Sequence, residues 1–469
     1  MQSDLEVVID NALRVEFSRL PEPLRRKLLA ALTIDNPAFL RARKFGRYWQ
    51  HVPQVLRYYR REGDSLVLPR GFYRELRIAA HRDGLRLKPR DLRTTFPPLE
   101  FPELSGAVTL RPYQESVVSL ALLREQGMIV APTGSGKTVM GLEIVRRARQ
   151  PALWITHTVE LAKQALQKAA TLLSLAAPDT GLIGDGACAL GDKLTVALVQ
   201  SLRRRDLDAL VHRFGVVVCD EAHHAPAYTF SDVISRFPAR YRYGLTATPQ
   251  RSDGLGPVMF WIVGPPPGDE KIAPERLYRQ KDLIRPRVIP LLSAFTPPPQ
   301  DDFHTILSAL VADCARNDLL VERITSEAAQ GRKVLVLSER ISHCESLARS
   351  LVERGVPAGL LLGRCTARER AATLAAFERA ELSILVATSR LVGEGWDQPL
   401  LDCLVLTCPM RSPVKVKQAV GRVMRPHPQK KDALVIDIVD GRAPLLSHQF
   451  SARCREVYLP MGLAIDRLP

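Results

Sequence analysis

No stretch of this chain is apolar for long enough to cross a membrane, and no Cys-x-x-Cys pair occurs in it. Its first residues, MQSDLEVVIDNALRVEF, carry acid where a secretory leader needs positive charge. These absences argue against a membrane protein and a zinc ribbon, and point to the cytoplasm. The eight cysteines (188, 219, 314, 344, 365, 403, 408 and 454) are scattered, without histidines at zinc spacing. Most sit in apolar runs and read as small core residues of a reducing compartment. Acid is scarce as well. The 50 Asp and Glu are outnumbered by 66 Lys and Arg, giving a formal charge of +16 and an isoelectric point near 9.7. Such an excess favours a polyanionic partner, nucleic acid above all.

What is present is enough chain for several cores. The 469 residues exceed what one core usually organises, and a composition of 46% hydrophobic and 25% charged residues is that of a folded protein. Up to about residue 108 the chain reads as helix-rich and basic. From 109 to 264, and again from about 303 to the end, short apolar runs alternate with helical patterns. Between them lie GPPPGDEKIAPERLYRQKDLIRPRVIP and TPPPQDD. Proline at that density sustains neither a helix nor a central strand, so the passage reads partly as a linker and partly as an edge segment of the first domain.

The runs MIVAP, ALWITH, LTVALV, VVVCD and YGLTAT, then KVLVLSE, AGLLLG, SILVAT, DCLVLT and ALVIDIV, have the character of buried parallel strands. Helical patterns between them imply βαβ units. The expectation is two tandem doubly wound α/β domains, at 109–290 and 291–469, behind an accessory domain at 1–108.

APTGSGKT, at 131–138, follows one strand pattern and opens a helical one. Gly134 and Gly136 let the backbone turn tightly and aim N–H groups, those of Thr133 and Ser135 included, at phosphate oxygens. Lys137 reaches the terminal phosphates, and the Thr138 hydroxyl suits Mg²⁺. Ala131 replaces the first glycine of the usual pattern.

VVVCDEAHHAP, at 216–226, ends an apolar run on two adjacent carboxylates. Such a pair needs a cation, a hydrogen-bond network or a reaction that uses it. Asp220 suits Mg²⁺ held through water, and Glu221 suits orienting or deprotonating the attacking water. A helix cap is the plainer reading of Asp220. His223 and His224 lack a third metal ligand nearby, so His223 reads better as a hydrogen-bond link to the second domain.

LRPYQ (110–114), APTGSGKT, DEAH (220–223), GLTATP (244–249), VATSRLVGEGWD (386–397) and QAVGRVMRP (418–426), in that order, resemble the superfamily 2 helicases and translocases. GLTATPQRSDG and DEAHH point to the branch of XPB, RadD and the type III restriction subunits. The resemblance implies RecA-like folds for both α/β domains and a nucleic-acid-dependent ATPase. It implies adenine recognition by Gln114 with Arg111, and coupling of phosphate state to strand contacts by Thr246 and Thr248. Asp397 would touch the ribose, with Gly393 and Gly395 letting its loop approach. Arg422 and Arg425, with Gln418 one turn earlier, would serve as arginine fingers on one face of the helix KVKQAVGRVMR. The Arg-Glu-Asp element of XPB-like proteins reads Arg251, Ser252, Asp253 here, without the glutamate.

The implied cofactors are ATP and Mg²⁺, and the implied partner is DNA in preference to RNA. An RNA helicase, and an ATPase switch subunit within a larger repair or defence complex, stand as alternatives. A nuclease would need a further carboxylate–lysine cluster, and none is evident. From 41 to 93, fifteen Lys and Arg face five Asp and Glu, interleaved with Phe45, Tyr48, Trp49, Tyr58, Tyr59, Phe72 and Tyr73. That segment reads equally as a surface that stacks bases and neutralises phosphates, or as a small aromatic core coated with arginine.

Overall fold

The apolar runs of the first half assemble into a seven-stranded sheet. Its order is Ala187–Cys188, Thr180–Gly184, Leu194–Leu198, Ala152–Thr156, Val216–Cys219, Tyr241–Thr246 and Gln126–Val130. Every neighbouring pair is parallel except the first. Strands such as Ala152–Thr156 and Val216–Cys219 are buried along their whole length, as expected for a sheet covered by helices on both faces. The computed structural model describes residues 3–467 except 47–49, 106–107, 223–226, 248–253, 269–271, 300–301 and 390–397. The chain divides into two compact units, Met1–Ala131 with Gly136–Lys271, and Ile272–Pro469 with Pro132–Ser135.

The second unit repeats the scheme. Its all-parallel sheet runs Ala358–Leu361, Ile384–Thr388, Val334–Ser338, Cys403–Leu406, Leu434–Val439, Arg287–Leu292 and Ala464–Ile465. Arg287–Leu292 comes from the proline-dense passage, and it joins this sheet rather than edging the first one. The outer strand Ala464–Ile465 pairs only with Arg287 and Val288. Pro290, which has no N–H to donate, thus lies beyond the reach of that strand.

The basic amino-terminal segment is not mainly helical. It is built on a five-stranded sheet, in the order Arg60–Glu62, Ser65–Pro69, Ala12–Glu16, Ser3–Ile9 and Leu85–Asp91, with the helices Glu22–Ala31, Pro37–Lys44 and Tyr73–Arg82. The reason is a period of two: Leu5 and Val7 are buried while Asp4 and Glu6 between and beside them are exposed. Phe72 is in this core, and Tyr58, Tyr59 and Tyr73 pack against it. Four of the seven interleaved aromatics are therefore structural.

Arginine joins this segment to the larger sheet of its unit. Arg70, 1% exposed, donates from Nη1 to the Ala239 carbonyl (2.6 Å) and from Nε to Gln126 Oε1 (2.8 Å). Arg242, wholly buried, donates to the Phe237 and Asn11 carbonyls at 2.5 and 3.2 Å. Burial lowers its pKa to about 9, which still leaves it charged at neutral pH. Between these arginines the backbones nearly touch: a Cβ on Gly71 would lie 2.3 Å from the Phe260 carbonyl oxygen and 2.6 Å from that of Trp261. Neither carbonyl can move without disturbing the helix Gly256–Val263. Gly71→Ala is accordingly expected to lower the stability of this unit by about 2 kcal/mol or more. A urea titration checks this, with Gly363→Ala, which meets nothing within 4 Å, as the neutral control.

Candidate functional site

The loop at 131–138 leaves the strand Gln126–Val130 and enters the helix Lys137–Ala148. Its first residue is pinned: the Ala131 N–H donates to the Thr246 carbonyl (3.0 Å), at the end of the adjacent strand. Gly134 and Gly136 have φ of +86° and +79°, the left-handed region that glycine adopts without penalty. Gly136 is required for a second reason. A Cβ there would lie 2.5 Å from the Gln114 amide nitrogen, so Gln114 packs directly on the turn. Gln114 is 6% exposed, and its Oε1 accepts from the Arg111 N–H (2.9 Å), fixing the start of the helix Pro112–Arg124. Arg147 then ties this helix to the one after the loop, bridging Glu115 bidentately at 2.5 and 2.6 Å and reaching Glu143 at 2.5 Å.

The two carboxylates stand where the strand Val216–Cys219 ends. Asp220 donates its N–H to the Ile155 carbonyl (2.9 Å) on one neighbouring strand, and Ala222 donates to the Leu245 carbonyl (3.0 Å) on the other. Glu221, caught between them, takes φ +45°, a strained value for a residue with a Cβ, and its N–H donates to Asp220 Oδ1 (2.9 Å). Lys137 Nζ lies 3.9 Å from Glu221 Oε1 and is also within 3.4 Å of the Ala131 carbonyl. Burial, and then the neighbouring Glu221 charge, push the Asp220 carboxyl up to about 7, against the pull of Lys137. An added divalent cation would reverse that imbalance, and the Asp220 carboxylate and the Thr138 hydroxyl, in the first turn of the helix after the loop, are donors of the hard kind that Mg²⁺ takes.

The second unit holds its own cluster. Gln418 and Arg422, each 8% exposed, lie on the helix Pro413–Val423. Arg425 was expected on the same helix, but the helix stops two residues short of it. Pro426 disfavours helical backbone at the residue before it, and Arg425 therefore sits in the exit turn. Burial lowers its pKa to about 10. Lys430 closes this turn, donating to the Val423 and Arg425 carbonyls at 2.9 and 2.7 Å. Nothing in PHPQKK marks that lysine in advance. A second unforeseen link joins two strand-end loops, where the Ser389 hydroxyl donates to Glu339 (2.6 Å). His223, Thr248, Gly395 and Asp397, like Gly393 and Arg251–Asp253, fall outside the described residues.

The structure thus gathers Lys137, Asp220, Glu221, Gln114, Arg111 and Thr246 around one loop, and Gln418, Arg422 and Arg425 around one helix end. Other segments at the carboxyl ends of strands carry helix N-termini, whose free N–H groups suit phosphates. Thr158 caps Val159–Leu173 and Thr366 caps Ala367–Glu378, while Ser338 precedes Ile341–Glu353.

Comparison with known proteins agrees with this arrangement. Residues 107–251 match the family model of the type III restriction enzyme, res subunit, and residues 315–427 that of the helicase conserved C-terminal domain. The chain belongs to the superfamily 2 helicases. Among its helicase relatives, the DNA 3'-5' translocase XPB2 of Sulfurisphaera tokodaii is 27% identical over 380 residues, 73% of this chain and 84% of that protein. The DNA 3'-5' helicase XPB of Kineococcus radiotolerans is also 27% identical, over 68% of this chain, which spans 57% of that relative's length. The helicase fold is shared with S. cerevisiae Dbp5 bound to RNA and ADP BeF3, at a TM-score of 0.55 and 17% identity over 76% of this chain and 89% of that one. ATP binding and hydrolysis by this helicase follow from its family.

The raised Asp220 pKa has a signed consequence for stability without metal. The folded helicase holds the Asp220 proton up to about pH 7, whereas the unfolded chain loses it near 4. Between those values the folded state binds more protons, so this group's contribution falls as pH rises. Asp220→Asn removes that dependence. In EDTA, its unfolding free energy relative to the natural chain should rise between pH 4 and pH 8, by about 1 kcal/mol or more. Urea titrations across that range test it, and a flat difference would contradict it.

Proposed function

We propose that this chain is an ATP-driven motor that moves along or remodels DNA. The observation that carries the reading is the placement of Lys137 beside Glu221, with Asp220 anchored to the neighbouring strand. In this reading the loop at 131–138 cradles the phosphates, Lys137 neutralises the terminal one, and Thr138 and Asp220 hold Mg²⁺. Glu221 orients the attacking water. Gln114 and Arg111 recognise adenine, and His223 relays the nucleotide state. Thr246 and Thr248 couple hydrolysis to strand contacts. The second motor domain contributes Gln418, Arg422 and Arg425 to the phosphates, and Gly395 and Asp397 to the ribose.

Closure around ATP and release after hydrolysis would alternate the grip on nucleic acid, because only the triphosphate makes contacts that differ between the two states. Along the sequence, the boundary between the two motor domains falls within the proline-dense passage, and an accessory module of residues 1–108 precedes them. The names of the XPB relatives favour DNA over RNA as the track, and the setting we read is DNA repair or mobile-element defence.

ATP hydrolysis by the purified chain, alone and with single-stranded DNA, forked DNA or RNA, tests the proposal. Stimulation by DNA is expected, with Lys137→Ala lowering turnover by about 100-fold or more. Stimulation by RNA alone would move the reading to an RNA helicase. No stimulation by any nucleic acid would overturn the motor and favour a partner-controlled ATPase subunit.

A further inference from the structure

The chain leaves the amino-terminal module at residue 36 and returns to it at residue 54, and the neck between these points is closed twice. Thr33–Asp35 pairs antiparallel with Val55–Arg57, and the Asn36 N–H donates to the Gln54 carbonyl (2.8 Å). Asn36, 6% exposed, also donates from Nδ2 to the Pro53 carbonyl (2.8 Å). Its Oδ1 accepts from the Ala38 N–H (3.0 Å), capping the helix Pro37–Lys44. One side chain thus fixes both ends of the excursion and the start of its helix. Phe39, 7% exposed, buries one side of that helix.

The other side is unusual. Phe45 is 68% exposed and Leu40 50%, in the same short stretch as Arg41, Arg43 and Lys44. Ala38, Arg41, Ala42 and Phe45 border a surface concavity of about 370 Å³. The sequence from 36 to 54 contains no Asp or Glu, and among the described residues none of these three cations forms an ion pair. An exposed phenyl ring at the end of a helix whose charged residues are all cations has the chemistry that meets an unpaired or terminal base and its phosphates: the ring face stacks, and the cations neutralise.

We propose that this helix end is a nucleic-acid contact in which Phe45 stacks on an exposed base at a fork or single-stranded end, while Arg41, Arg43 and Lys44 supply the positive charge that attracts the flanking phosphates. The inference rests on the motor reading and specifies where the track meets the accessory module. An anionic membrane is the less suited occupant, because the eight-residue helix is only about 12 Å long and offers two apolar side chains to a bilayer.

Fluorescence anisotropy of the full chain with forked DNA and single-stranded DNA, over a salt series, tests it. Phe45→Ala is expected to weaken binding roughly five- to hundred-fold, and Phe45→Trp to restore it. Replacing Arg41, Arg43 and Lys44 together by Gln is expected to reduce the salt slope on single strands by about 2. ATP hydrolysis without nucleic acid should be unchanged in every variant. Natural binding in Phe45→Ala with an unchanged salt slope in the triple variant would overturn this contact while leaving the motor reading in place. So would loss of binding to phosphatidylserine vesicles alone. Failure of the natural chain to bind any nucleic acid would overturn both.

Discussion

Two carboxylates held side by side at the end of a buried strand are the constraint around which the first unit is arranged. Asp220 and Glu221 cannot both ionise comfortably when Asp220 is buried beside the second charge, and the raised pKa of Asp220 expresses that conflict. Lys137 offsets it only in part, from 3.9 Å. The pair persists because backbone bonds to both neighbouring strands leave Asp220 and Ala222 no alternative position. An apolar sheet therefore supplies the rigidity, and the charge imbalance supplies the demand for a cation.

The same division of labour recurs elsewhere. The helix of the Gln114 motif is clamped through Arg147, Glu115 and Glu143 to the helix that follows the loop at 131–138, so these two helices are held together by charge. In the second unit, Lys430 fixes the turn that carries Arg425. Buried arginines join the amino-terminal module to its neighbouring sheet, with Arg70 and Arg242 bonded to carbonyls rather than to acids. Arginine in this chain is thus partly mortar, and the net charge overstates what is left to meet a polyanion.

The strands of both large sheets were legible in the sequence because buried parallel strands are short unbroken apolar runs, and all ten runs appear as strands. The phosphate loop and acidic pair were legible because their chemistry fixes residue type and spacing. The amino-terminal sheet was harder. LEVVI and LRVE are brief enough for their period of two to be masked by the arginine-rich helices around them. Aromatic residues were ambiguous for a related reason, since Phe72 in a core and Phe45 in solvent both have glycine and arginine close by in sequence and are told apart by tertiary packing. The exit of Arg425 from its helix was foreseeable from Pro426. The Lys430 cap was not, because a lysine that closes a turn resembles one that faces solvent.

The central claim is that the nucleotide state of this site sets the grip on nucleic acid, and affinity measured against nucleotide state tests it most directly. Binding of single-stranded DNA would be titrated without nucleotide, with ADP, and with a non-hydrolysable ATP analogue. The account predicts affinities that differ by about five-fold or more between the triphosphate and diphosphate states. Equal affinity in all three states would contradict it, because a ligand that does not distinguish the two conformations cannot drive one into the other.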